Sequence, residues 1–100
     1  MPDWHLYIVR CADHSLYTGI TTNVARRFQQ HQENKGAKRL KGRGPLKLVF
    51  QAQVSESKGD ALRLEHAIKK LSRQDKLNLI KNHNLLTPLL EKIKASQESA

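Results

Sequence analysis

The stretch "WHLYIVRCADHSLYTGI", residues 4–20, reads as two strands folded back on each other. Residues 4–10 are rich in aromatic and β-branched types, "ADHS" at 12–15 supplies turn chemistry, and "LYTGI" at 16–20 resumes the strand pattern. A hairpin here implies an antiparallel sheet, because so short a turn joins only antiparallel neighbours. The hairpin holds both tyrosines of the chain, Tyr7 and Tyr17, ten positions apart. Across a turn they face each other or sit diagonally on one side of the sheet. Phenylalanine would serve packing alone, so two hydroxyls here ask for partners. Gly19 lies two residues beyond Tyr17, and a strand glycine often marks the close approach of a ligand or another backbone.

Working outward, Asn23 is a good N-cap, because its side-chain oxygen can accept from the free amides of a first helical turn; a helix is predicted over 24–33. Val24 and Phe28 are its apolar positions at i and i+4, and Arg27 and His31 share one side at the same spacing. Residues 34–45, "NKGAKRLKGRGP", hold three glycines and a proline and form no regular helix. "LKLVFQAQV" at 46–54 reads as a third strand. Ser57 with Asp60, and Ser72 with Asp75, make two capping-box-like starts, predicting helices over about 58–72 and on to about 82, where "NHN" intervenes. Thr87-Pro88 reads as the N-cap and first residue of a last helix to about 94, with 95–100 a frayed tail. The order β-β-α-β-α-α-α describes an α/β chain of the α+β type, a three-stranded, mainly antiparallel sheet flanked by helices. A chain of 100 residues is expected to form one domain, 1–94.

Charge narrows the function. Eighteen Lys/Arg against nine Asp/Glu give +9 and a pI near 10.1, which points to a polyanion partner, nucleic acid first and an anionic membrane surface second. Six cations, Lys35, Lys38, Arg39, Lys41, Arg43 and Lys47, fall within thirteen residues with no acid among them. No apolar run approaches the ~18 residues of a membrane span. The N-terminal Met-Pro-Asp-Trp-His does not read as a signal peptide. Cys11 stands alone, so neither a disulfide framework nor a thiolate zinc site is expected, and the reading favours a reducing cytoplasm.

In the helix after Ser57, Ala61, Leu64, Ile68 and Leu71 form the buried stripe. Glu65 lies at i+4 from Ala61 and i−3 from Ile68, at the edge of that stripe, where a charge needs a partner. Lys69 at i+4 is one, worth only ~0.2–0.5 kcal/mol. A hard divalent cation, sharing its shell with water and a substrate phosphate, is the other. Hydrolysis of a phosphodiester needs a base, a cation, a phosphate-holding donor and assistance to the leaving oxygen. Arg27 offers a permanently charged, forked donor, and His31 a proton carrier near neutral pH. Each also has an ordinary reading, as a solvated helix arginine like Arg26 and as a surface histidine. His5, His14, His66 and His83 show no metal-ligand spacing, and Trp4 and Phe50 read as core.

The ordered series "HLY" (5–7), "YTG" (17–19), Asn23, Arg27, His31 and a later helical glutamate resembles the GIY-YIG nuclease domain over about residues 4–82. "GAKRLKGRGP" is typical of its small stand-alone bacterial members, relatives of the nuclease part of structure-specific repair enzymes. His5-Leu6 replaces the Gly-Ile of the first motif, Thr18 the central Ile of the second, and Ile20 a Lys found in some members. The resemblance implies that Tyr7 or Tyr17 activates water, Arg27 steadies the phosphorane charge, and Glu65 holds one Mg²⁺ or Mn²⁺. His31 matches a histidine of many members, and the basic loop would grip the phosphate backbone without reading bases. The implied activity is metal-dependent endonuclease cleavage of nucleic acid, DNA before RNA, in repair or recombination. The alternative is a nucleic-acid-binding module on the same fold with little or no turnover.

Overall fold

A computed structural model describes the backbone of residues 3–98 and the side chains of residues 3–95. Three strands, β1 (Trp4–Arg10), β2 (Leu16–Thr21) and β3 (Lys47–Ser55), form one antiparallel sheet in the order β2-β1-β3. The central strand is covered on both faces. Leu6, Tyr7, Ile8 and Val9 are all buried, so β1 reads as a continuous run instead of an alternation.

On one face Leu6 and Ile8 join Phe50 and Val54 of β3. There they meet Ala61, Leu64 and Ile68 of α2 (Lys58–Lys69) and Leu79 of α3 (Arg73–Lys81). On the other face Tyr7 and Val9 pack with Val24 and Phe28 of α1 (Val24–Gln32), and with Tyr17, Leu46 and Leu48. A bulge makes this second cluster possible. Ile8 pairs with Phe50 but Val9 pairs with Leu48, so Val49 is the extra residue and Leu48 turns onto the tyrosine face. Each large aliphatic side chain so buried contributes roughly 1.5–3 kcal/mol.

The caps hold the helices where the sequence sets them. Asn23 Oδ1 accepts from the Arg26 amide (3.1 Å), Ser57 Oγ from the Asp60 amide (3.4 Å) and Ser72 Oγ from the Asp75 amide (3.1 Å). Three boundaries differ from expectation. Helix α2 stops at Lys69, before the predicted 72. Within the basic loop, Lys38–Leu40 make one 3₁₀ turn that buries Leu40. The last helix, α4 (Leu86–Glu98), begins ahead of Thr87-Pro88 and runs past 94, so Thr87 is not its cap. Asn82 Oδ1 accepts from the Asn84 amide and starts a 3₁₀ turn, His83–Leu85, that leads straight into α4. Of the tail expected to fray, residues 95–98 are helical and 99–100 lie outside the described residues.

Candidate active site

Strand alternation carries both tyrosines to the α1 face. Tyr7 pairs with Gly19 and Val9 with Tyr17, so the tyrosines are diagonal neighbours, with ring centroids 6.3 Å apart. A Cβ on Gly19 would lie 2.6 Å from Tyr7 Oη. The close approach expected at this glycine is therefore that of the Tyr7 ring itself.

His31, one turn after Arg27 on α1, completes the group. Tyr7 Oη and His31 Nε2 are 2.7 Å apart, and both residues are only 1 % exposed. The His31 ring stands edge-on to Tyr17 at 5.5 Å. Its other nitrogen, Nδ1, accepts from the Ala37 amide at 3.2 Å. A neutral imidazole has one donor and one acceptor nitrogen. With Nδ1 accepting, the proton sits on Nε2, which donates to Tyr7 Oη. The Tyr7 hydroxyl keeps its own proton to donate elsewhere. Gly36 makes room for this arrangement, since a Cβ there would fall 2.1 Å from His31 Nδ1.

The electrostatics follow from burial and one arginine. Burial foremost, with Tyr17 adding to it, pushes Tyr7 up to about 12, while Arg27 pulls the other way. His31 is held below the ordinary histidine value by burial first and then by the Arg27 charge. Arg27 itself is half-buried. Its clearest hydrogen bond is donated to Gln30 Oε1 at 3.1 Å, and its guanidinium also stands close enough to Tyr7 to favour the phenolate.

Glu65 comes from the other side. Helix α2 covers the sheet face opposite the tyrosines. Its side chain is 19 % exposed, with Oε1 3.7 Å from Lys69 Nζ. Lys58, Leu62, Glu65 and Lys69 recur at four, three and four residues, so they share one side of α2. Lys58 and Leu62 line a cleft at the end of the edge strand β2, together with Thr21, Asn23 and Arg27. Arg27 thus belongs both to the tyrosine cluster and to the cleft that Glu65's side of α2 borders. The structure brings Tyr7, Tyr17, Arg27 and His31 together, and Glu65 lies on the side of α2 that borders the same cleft as Arg27.

Among the described residues no three His, Cys, Asp or Glu side chains gather to hold a metal ion. One partly buried carboxylate with a loose ion pair suits a hard cation that completes its shell with water and substrate phosphate. It does not suit a resident structural metal. The six loop cations are all exposed. Arg43 donates to Asp13 Oδ2 at 3.1 Å, and the Ala12 amide to the Arg43 carbonyl at 3.0 Å, pinning the loop to the hairpin turn. No helix of the described residues is long and apolar enough to cross a membrane.

A family model described as the GIY-YIG catalytic domain matches residues 3–78. The chain belongs to the GIY-YIG family. GIY-YIG domains form an endonuclease superfamily, so this is a nuclease fold with nucleic acid as its substrate class. The chain is 55 % identical over 80 residues to a UPF0213 protein of Citrobacter koseri, spanning 80 % of this chain and 79 % of that one. It is 48 % identical over 93 residues to the UPF0213 protein YhbQ of Salmonella typhimurium, spanning 93 % and 92 % of the two chains. Among solved structures, the UPF0213 protein of Bacillus halodurans matches with TM-score 0.51 and 44 % identity over 79 % of this chain and 83 % of that one. A protein from E. faecalis matches with TM-score 0.59 and 33 % identity over 85 % and 90 %. In this GIY-YIG chain, sequence reasoning missed Gly36 and the Ala37 amide, whose only signal was a glycine in a loop already rich in them.

Proposed function

We propose that the protein is a metal-dependent endonuclease that hydrolyses phosphodiester bonds, in DNA before RNA, and acts in the cytoplasm in repair or recombination. The observation that carries the reading is the buried Tyr7 Oη–His31 Nε2 hydrogen bond, with His31 fixed from behind by Ala37 and Arg27 beside the pair. A tyrosine kept only for packing needs no such arrangement around its oxygen.

In the free protein Tyr7 carries its proton at neutral pH, because burial raises it to about 12. To take a proton from water its phenolate must form. His31 Nε2–H already donates to the oxygen where that charge develops, and Arg27 supplies positive charge nearby; both favour the ionised form. Tyr17, the diagonal neighbour, is the second candidate base. The guanidinium of Arg27 offers paired donors to the non-bridging phosphate oxygens and steadies the phosphorane. Glu65 is the carboxylate that would hold Mg²⁺ or Mn²⁺, which when bound supplies charge neutralisation at the phosphate and a more acidic water. The exposed loop cations Lys35, Lys38, Arg39, Lys41, Arg43 and Lys47 hold the backbone of the substrate.

Glu65→Gln tests the assignment. As an ordinary helix pair with Lys69, Glu65 is worth only ~0.2–0.5 kcal/mol, and its loss leaves function alone. As the metal ligand, its loss abolishes plasmid cleavage in Mg²⁺ while binding in chelator stays near wild type. A variant that cleaves at a comparable rate rules out metal-assisted hydrolysis through Glu65. A wild type that binds but cleaves no nucleic acid supports the binding module instead.

A further inference from the structure

The cleft at the end of β2 measures about 430 Å³ and opens between the start of α1 and the first turns of α2. Its lining has two characters. Arg26, Arg27 and Lys58 contribute three cations, and no aspartate or glutamate lines it. The apolar part is the half-buried Trp4 and Ile20 together with Leu62, which is 45 % exposed and one of two such large apolar side chains among the described residues. The Lys58 ammonium stands 5.5 Å from the centroid of the Trp4 ring. Unopposed cations recruit an anion, but an anion alone leaves the indole and Leu62 facing water. A flat apolar group joined to a phosphate uses both. Because Arg27 also belongs to the Tyr7–His31 group, whatever fills the cleft adjoins the phosphate under attack.

We propose that this cleft is the subsite for one unpaired nucleotide next to the scissile phosphate, its base laid on Trp4 beside Leu62 and its phosphate held by Arg26 and Lys58; the proposal rests on the nuclease reading above. The base must be unpaired, because inside a duplex both of its faces are already covered by stacked neighbours. Lys58 leaves the indole face for the phosphate as the base arrives. The preferred substrate is then nucleic acid that is single-stranded, or splayed open, at the point of cutting.

Trp4 is the only tryptophan of the chain, so its fluorescence reports on this cleft alone. Wild-type protein is titrated in chelator with single-stranded oligothymidylate, with an abasic strand of equal length, and with a blunt duplex, each carrying a terminal dye whose anisotropy reports binding. All three bind through the loop cations, but only oligothymidylate quenches Trp4 emission saturably. Trp4→Ala weakens oligothymidylate binding roughly ten-fold, the loss of one stacked base, and leaves the abasic strand unaffected. Leu62→Ser, a change on an exposed helix surface, shows the same selective loss should Trp4→Ala fail to fold. Oligothymidylate that binds without changing Trp4 emission overturns the subsite, as does equal quenching by the abasic strand or the duplex. No readout here needs turnover. Base-dependent quenching in a protein that never cleaves removes the nuclease reading and leaves a site for unpaired nucleotides. Cleavage of blunt duplex without quenching does the reverse.

Discussion

Gly36→Ala adds one methyl group behind His31, and the structure fixes what it meets. The new Cβ would lie 2.1 Å from Nδ1, 2.8 Å from Cε1 and 3.0 Å from Cγ of His31. These are ring atoms of a side chain only 1 % exposed, so the ring cannot swing into solvent. Either the loop lifts, breaking the Ala37 amide bond to Nδ1, or the ring moves, breaking the 2.7 Å bond to Tyr7 Oη as well. Each hydrogen bond is worth about 1 kcal/mol net, and overpacking a buried site costs about 1–3 kcal/mol. Where only the Ala37 bond breaks, a loss of roughly 2–4 kcal/mol follows, a large share of the ~5–15 kcal/mol that holds such a domain together. In melting temperature that is roughly 10–30 °C. Gly59→Ala is the internal control. Its Cβ would find nothing nearer than Ser57 Oγ at 3.6 Å, and it sits in the first turn of α2, so the change is neutral or stabilises by up to ~1 kcal/mol. Urea denaturation gives the stabilities; cleavage is measured where Gly36→Ala is still folded. If His31 positions Tyr7 for proton transfer, the folded variant loses about a hundred-fold or more in rate. Unchanged stability refutes the packing of His31 against Gly36. Lower stability with undiminished rate refutes the part given to the Tyr7–His31 pair.

Three further outcomes follow from the same geometry. Tyr7→Phe strands the buried Nε2–H of His31 and costs ~1–3 kcal/mol in denaturation, whereas Tyr17→Phe, on a half-buried residue, costs less than ~1 kcal/mol; equal costs contradict the hydrogen-bond assignment. The fold is bounded by pH on both sides: His31 is depressed when folded, so stability is complete above the unfolded value near 6.5 and falls as acid titrates the unfolded chain first, while Tyr7 is raised, so stability is lost as pH climbs from about 10 through about 12. Against wild type, His31→Gln should flatten the acid limb of a pH series of denaturation curves; identical limbs refute it. Binding to duplex in chelator should show a slope of about −4.5 in log K against log [salt], for the five loop cations that make no ion pair among the described residues, at −0.9 each; a flat response refutes loop-phosphate contact.

What could be read from sequence was local. The hairpin, the N-caps at Asn23, Ser57 and Ser72, and the stripe Ala61, Leu64 and Ile68 of α2 depend on local neighbours, and the structure has them; only Leu71, past the end of α2, is half-buried. Meetings between distant segments were not legible. That His31 is buried depends on a loop folding back so that the Ala37 amide reaches Nδ1, and nothing in "NKGAKRL" marks that amide as a donor. Arg43 looked like a free cation, but Asp13, thirty residues away, holds it. Trp4 read as core because aromatic strand residues usually are. It does pack against the core cluster, but it is half-buried because it stands at the strand end and lines the cleft. The start of α4 was misplaced for a related reason: Thr87-Pro88 is a sound cap signal, but Asn82 five residues earlier had already begun the turn.

Arg27 offers the last test, because one charge acts on two groups at once. It lowers Tyr7 and it lowers His31. The directions agree in sign and differ in consequence. Lowering Tyr7 favours the charged phenolate, whereas lowering His31 favours the neutral ring, the form whose Nδ1 can accept from Ala37. One guanidinium therefore readies the tyrosine to ionise and keeps the histidine in the tautomer that supports it. Arg27→Gln removes the charge and keeps a polar side chain of similar reach. Both groups should titrate at higher pH: Tyr7 higher still, where alkaline unfolding intrudes, and His31 back toward the ordinary value, where ring-proton NMR follows it directly. As His31 becomes easier to protonate, the acid limb of stability should become shallower than in wild type. An Arg27 that only anchors α1 through Gln30 would leave the His31 titration where it was. That result, with activity lost all the same, would confine Arg27 to holding phosphate and separate it from the tyrosine–histidine pair.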